Sequence, residues 1–188
     1  MRAIIHTQYG PPRVAQLKEI AKPLPADKEL LIKVVASTVN RTDCGFRSAE
    51  YFISRLFSGL FKPKFEILGN EFAGIIEAVG NDVTLFNIGD KVFGYNDSKF
   101  GAHAEYITLP ENGSLTTKPK NMSYEEAAAV CDGLMLGINL IRKIDFTKAK
   151  RNIYSLVLIL ITLEAIVRLA VIRPSKNVSL YVCLSISQ

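Results

Sequence analysis

The last quarter of this 188-residue chain has no glycine: all twelve lie at or before Gly137. A turn that brings backbone against a pyrophosphate depends on glycine, so 152–188 offers no such turn. Cysteine is scarce too. Cys44, Cys131 and Cys183 are odd in number, far apart, and form no CxxC pair. That excludes a zinc ribbon and a disulfide framework, and predicts reduced thiols in an intracellular, cytoplasmic setting. The N-terminus MRAIIHTQYGPPRV lacks a long apolar run and has few basic or hydroxylic residues. It predicts neither a secretory signal nor a transit peptide. The net charge is +5, but the basic residues are scattered. A solvated, mildly basic surface is expected, with no nucleic-acid footprint. There is no internal repeat and no low-complexity segment.

What is present suffices for a core, since 48% of the residues are hydrophobic. The chain falls into three regimes. The first, to about Pro119, has short apolar runs broken by Gly, Pro, Asn and Asp. Strands are predicted at Arg2–Thr7, Glu29–Ser37, Phe72–Val79, Lys91–Tyr95 and Ala104–Leu109, as in an antiparallel barrel or sandwich. Gly80-Asn81-Asp82 reads as a turn, because Gly and Asn accept positive φ. The second regime is Ser123–Lys143. Ser123 and Glu126 form a capping box ahead of an alanine run, which predicts a helix. Gly133 and Gly137 predict a break or a change of helix. The third regime, Asn152–Gln188, is almost wholly apolar through Ile172 apart from Glu164 and Arg168.

The most specific string is GNEFAGIIEAVGNDVTLFNIGDKV, residues 69–92. Glycines at 69, 74, 80 and 89 punctuate strands that turn sharply or pass close to other backbone. Ile75, Ile76, Ala78 and Val79 can fill a core, and Glu71 is a buried or half-buried carboxylate. On spacing alone a structural hairpin without chemistry accounts for the string.

The whole string nevertheless resembles the signature of the medium-chain dehydrogenase/reductase superfamily. In its zinc enzymes the signature begins Gly-His-Glu; here it begins Gly69-Asn70-Glu71. MRAIIHTQYGPP, ADKELLIKVVASTVNRTDCGFRSAEY and KVFGYNDSKFGAHAEYITLPENGSLTTKPKNMSYEEAAAV resemble further family segments in the same order. The resemblance covers residues 1 to about 150 and is nearest the zinc-independent, quinone oxidoreductase-like branch. It implies a mostly β GroES-like barrel with flanking helices, over 1–122. An incomplete α/β, Rossmann-type segment would follow over 123–188.

The resemblance also implies a chemistry. Family zinc sites use a Cys and the His of Gly-His-Glu, and the matching positions are Asn40 and Asn70. An amide is a poor zinc ligand, so no metal is expected. Cys44 is then a loop thiol and His103 a barrel-surface residue. Zinc-free relatives reduce quinones or enones with NAD(P)H. Asn40 matches a position near nicotinamide and substrate; Thr42 matches a proton-relay hydroxyl; Asp43 could orient the loop; Tyr51 matches an aromatic that lines the pocket. Each also has an ordinary reading: Asn40 and Asp43 as turn caps, Thr42 as a strand end, Tyr51 as packing against Phe52 and Phe57. Asp132 and Gly133 match the helix that passes the nicotinamide ring. The Thr that often follows in relatives is replaced at Leu134 and Met135.

After KIDFTKAKRN the family pattern requires a buried strand and a glycine-rich turn, and neither the glycines nor the rest of the domain is present. A truncated, spliced or frameshifted product is the expectation, with no NAD(P)H bound by this chain. Two other readings stay open. One is a non-catalytic barrel that binds a protein partner through the apolar tail. The other is membrane association through 153–172, which has about the 20 residues of a span, although Glu164 and Arg168 would be costly there.

Overall fold

The computed structural model describes residues 1–50, 52–96, 98–133, 138 and 171–172. Tyr51, Leu134, Met135, Gly137 and nearly all of the 153–172 segment lie outside the described residues.

Two antiparallel sheets form the barrel. Strand β1 (Arg2–Ile5) pairs with β2 (Gln16–Glu19). The larger sheet runs β6 (Tyr106–Pro110), β3 (Glu29–Thr38), β4 (Glu71–Val79), β5 (Lys91–Tyr95), β7 (Leu115–Thr117). A short β8 (Val171–Ile172) lies against the end of β3, at Ser37 and Thr38. Single bridges, Ala3 to Ala104 and Ile5 to Ile67, tie the two sheets together. Helix α1 (Arg41–Ser48) and α2 (Phe52–Ser58) join β3 to β4, and α3 (Tyr124–Ala129) follows β7.

Alternation drives the sheet. Leu30, Ile32 and Val34 of β3 meet Phe72, Ile76, Val92, Ile107 and Leu109 in one dry core. Of the residues proposed for the core, Ile76 is fully buried, while Ile75, Ala78 and Val79 are only partly covered. A second cluster uses small residues: Ala36 and Ala73 of the sheet meet Ala127 and Ala128 of α3. Their size lets the helix approach the sheet closely. The expected capping box is formed, with Glu126 N–H donating to Ser123 Oγ at 3.1 Å and Ser123 N–H to Glu126 Oε2 at 2.8 Å.

Several expectations need correction. Strand β1 stops at Ile5, because His6 N–H turns to Glu66 O. Strand β6 starts at Tyr106, since Ala104 makes only a single bridge. Strands β2 and β7 were not expected; both are short, largely exposed edge strands without apolar alternation. The helix after Ser123 is interrupted at Val130, ahead of Gly133, which is itself helical. Gly80 has no positive φ. Its role is close approach: a Cβ there would lie 2.0 Å from Ala26 O.

The largest departure is at Asn40–Asp43, expected as a loop and found as the start of α1. RTDCGFRS carries little apolar periodicity, so the helix rests on its cap and on Phe46 below it. Phe46, Phe65 and Phe100 form a trio with ring centroids 4.9 to 6.3 Å apart. Cys44 is therefore a helical residue, half-buried.

Candidate active site

Strand β3 ends where β4 begins, because the two are antiparallel and Ser37 sits opposite Phe72. The residues just beyond β3 therefore meet those just before β4. Asn40 comes from one side, Asn70 and Glu71 from the other. All three are buried.

The bonding of Asn40 follows from its neighbours. Its Oδ1 accepts from the backbone N–H of Thr42 at 2.9 Å and of Asp43 at 3.1 Å. Asp43 returns the contact, since Asn40 N–H donates to Asp43 Oδ2 at 3.0 Å. This is a complete capping box. With Oδ1 turned to the helix, Nδ2 must point the other way. It donates to Asn70 Oδ1 at 2.6 Å and to Glu71 Oε2 at 3.1 Å.

That arrangement fixes Asn70 in turn. Its oxygen faces a donor, so its Nδ2 faces away. Among the described residues this Nδ2 is the buried side-chain atom left without a partner. An unmet buried donor costs about 1–3 kcal/mol. The site thus presents one N–H donor, buried and held in direction by a chain of hydrogen bonds that starts at the α1 backbone.

Glu71 anchors the same cluster. Thr38 Oγ1 donates to Oε2, and the backbone N–H of Asp132 donates to Oε1 at 2.8 Å. Ser37 Oγ donates to the Glu71 carbonyl at 2.8 Å. The carboxylate thereby links the barrel to the helical turn at 131–133. Asp132 and Gly133 are brought to the site by this link, and both are partly exposed.

Asp43 has a second function. Its Oδ1 accepts from Gly69 N–H at 2.9 Å, which ties α1 to the turn before β4. Gly69 has φ +89, and a Cβ there would come within 2.6 Å of the His103 ring and backbone. His103, expected on the barrel surface, is inside: its side chain is 7% exposed. Its Nε2 donates to Thr38 O at 2.8 Å and lies 3.8 Å from Asp43 Oδ2. The absence of a side chain at Gly69 makes room for it. Thr42 is half-buried on the first turn of α1.

Of the residues singled out from sequence, Asn40 and Asp43 are linked through Glu71 to Asp132, Thr42 and Gly133 are their chain neighbours, and Tyr51 lies outside the described residues. Asn70, Glu71, Thr38 and His103 complete the cluster. Asn70 and Glu71 stand in the signature string, which was the available signal. Thr38 and His103 carried none. Among the described residues, no group of three or more His, Cys, Asp or Glu side chains could hold a metal ion.

Comparison with known proteins places this geometry in context. The alcohol dehydrogenase GroES-like domain matches residues 26–120. A quinone oxidoreductase of Homo sapiens is 34% identical over 131 residues, covering 69% of this chain and 37% of its own length. A 2-methylene-furan-3-one reductase of Solanum lycopersicum is 31% identical over 158 residues, covering 80% of this chain and 39% of its own. The structure of the quinone oxidoreductase from Coxiella burnetii superposes with a TM-score of 0.67 at 29% identity, covering 76% of this chain and 44% of that one. The Escherichia coli quinone oxidoreductase complexed with NADPH gives a TM-score of 0.66 at 27% identity, covering 76% and 41%. The chain spans well under half the length of each of these relatives.

Proposed function

Because the chain belongs to the alcohol dehydrogenase GroES-like family, in the quinone oxidoreductase-like branch of the medium-chain dehydrogenases/reductases, we propose that it forms the substrate-side barrel of an NAD(P)H-dependent, zinc-independent reductase of quinones or enones. The barrel side is residues 1–122, and 123–188 begins the cofactor side. The observation that carries the reading is the partnerless Nδ2 of Asn70. It is suited to an acceptor oxygen, which a quinone or enone carbonyl supplies.

The nicotinamide, when bound, supplies hydride. This chain's residues do the rest. Asn70 Nδ2 donates to the carbonyl oxygen, where negative charge develops as the conjugated system is reduced. Asn40 holds Asn70 in that orientation, and Asp43 holds Asn40. Glu71 fixes the helical turn carrying Asp132 and Gly133 by accepting from the Asp132 N–H. Thr42, half-buried on the first turn of α1, relays a proton to the reduced oxygen. The resemblance adds Tyr51, which matches an aromatic position that lines the pocket in relatives.

Zinc does not fit these donors. Asn40 Oδ1 already accepts two backbone N–H groups, and its Nδ2 is a donor. An amide hydrogen-bonded in this way has no lone pair to offer a cation. Residues 138–188 contain no glycine and so supply no glycine turn for a pyrophosphate. On that basis the chain alone does not hold the cofactor.

Two titrations test the proposal. NADPH, then NADH, added to the purified chain should give no saturable change in cofactor fluorescence; saturation would overturn the cofactor statement. Equilibrium dialysis against an unreactive enone should show binding that Asn70→Leu weakens about tenfold, the loss of one buried hydrogen bond. Equal binding by both proteins would remove Asn70 from the site.

A further inference from the structure

The end of α2 and the loop that follows it carry an apolar surface. Leu56, Phe57, Leu60 and Phe61 are 65%, 70%, 46% and 92% exposed. Four large apolar side chains in six residues is the densest exposed apolar run among the described residues, where Leu17, Leu24, Leu85 and Ile88 also protrude.

The segment is tied down. Gly59 N–H donates to Arg55 O at 3.0 Å, and Lys64 N–H closes the loop on Ser58 O at 2.6 Å. The Tyr9 hydroxyl reaches Ser58 Oγ at 2.9 Å and also donates to Gly59 O. Gly59 has φ +119, and a Cβ there would meet Lys62 O at 2.2 Å, so this tight turn is reserved for glycine. Pro63 is buried beneath the loop. Leu60 and Phe61 are thus held outward at little further entropic cost on docking.

Charge selects the partner. Residues 51–65, YFISRLFSGLFKPKF, contain Arg55, Lys62 and Lys64 and no acidic residue. Lys62 and Lys64 are exposed on either side of Pro63. Exposed aromatic and leucine side chains flanked by lysine fit the boundary between acyl chains and anionic headgroups.

We propose that this loop docks the protein onto an anionic phospholipid surface. Leu56, Phe57, Leu60 and Phe61 enter the interface, while Lys62 and Lys64 pair with headgroup phosphates. The docked protein lies on the membrane surface rather than across the bilayer.

Vesicle sedimentation of the whole chain tests this. Vesicles of phosphatidylcholine mixed with phosphatidylserine should pellet the protein far better than phosphatidylcholine alone. Lys62→Ala with Lys64→Ala should weaken that partition roughly thirtyfold, about fivefold per lysine. Phe57→Ser with Phe61→Ser should abolish it. Circular dichroism should match the parent for both variants, because the altered side chains are exposed. Undiminished binding by either variant would overturn the proposal and assign the affinity to another part of the chain. Failure of the parent to bind would also overturn it, leaving the surface to a protein partner.

Discussion

Asn40 donates through Nδ2 to Asn70 Oδ1 at 2.6 Å, across thirty positions of sequence. The bond converts two residues with unremarkable side chains into a directed donor. Asn40 is oriented by the N-terminus of α1, and Asn70 is oriented by Asn40. The free Nδ2 of Asn70 is then a consequence of helix capping.

Substituting Asn70 separates stability from binding. Asn70→Leu removes the unmet Nδ2 donor with a larger side chain of the same branching, and it frees one N–H of Asn40, whose other N–H keeps Glu71 Oε2 as acceptor. Stability should stay within about 1 kcal/mol of the parent in urea unfolding, because one unmet buried donor replaces another, while enone binding falls.

Removing the Asp43 carboxylate has the opposite effect. Asp43→Ala leaves two buried backbone N–H groups, of Asn40 and Gly69, without their acceptor. The expected cost is about 3 kcal/mol in chemical denaturation, combining loss of the cap with unmet donors. Asp43→Asn, which keeps one acceptor oxygen, should cost less than half of that.

Gly69 tolerates no side chain. Gly69→Ala places a methyl group at a positive φ and against His103. A loss of about 3 kcal/mol is expected, read as a lower urea midpoint. His103→Ala in the same background should recover part of the loss. The ring is then gone, while the backbone contact at His103 N remains.

Stability should fall on mild acidification because of His6. Burial is the main cause that lowers its pKa from the usual 6.5, outweighing the hydrogen bond to the Glu66 carbonyl. The folded form therefore binds its proton later than the unfolded form. Above about pH 6.5 both forms are neutral and the full stability is present. As the pH falls through 6.5 towards the lower folded value, the unfolded state gains protons first and stability drops. Melting temperatures measured from pH 7.5 down to 5 should show this slope, and His6→Gln should flatten it.

Much of the barrel was legible. The strands expected at Glu29–Ser37, Phe72–Val79 and Lys91–Tyr95 are short apolar or alternating runs bounded by turn residues, and Ser123 with Glu126 announces its own helix cap. Strands β2 and β7 were not, because short edge strands that are largely exposed carry no such pattern. Helix α1 was missed for a related reason. Its sequence is polar on most sides, and its stability comes from a cap and from an aromatic trio assembled from 46, 65 and 100.

The site divides in the same way. Asn40 and Asp43 were identifiable by position, and Glu71 as a carboxylate inside the signature string. His103 was placed on the surface because nothing local marks a histidine that a glycine thirty-four residues earlier leaves room for.

The sequence by itself determined the family, through glycines spaced for the turns and close approaches of one barrel, and it determined the chemical inventory: amides where zinc enzymes have thiolate and imidazole, and no glycine after Gly137. Only the tertiary structure decided which amide is left as a donor. Antiparallel pairing of β3 with β4 brings Asn40 against Asn70, the helix N-terminus consumes the oxygen of Asn40, and the shortage passes along the hydrogen bonds to Nδ2 of Asn70. Donor and acceptor balance in a buried network is a property of the assembled cluster, so no local stretch of sequence could state it.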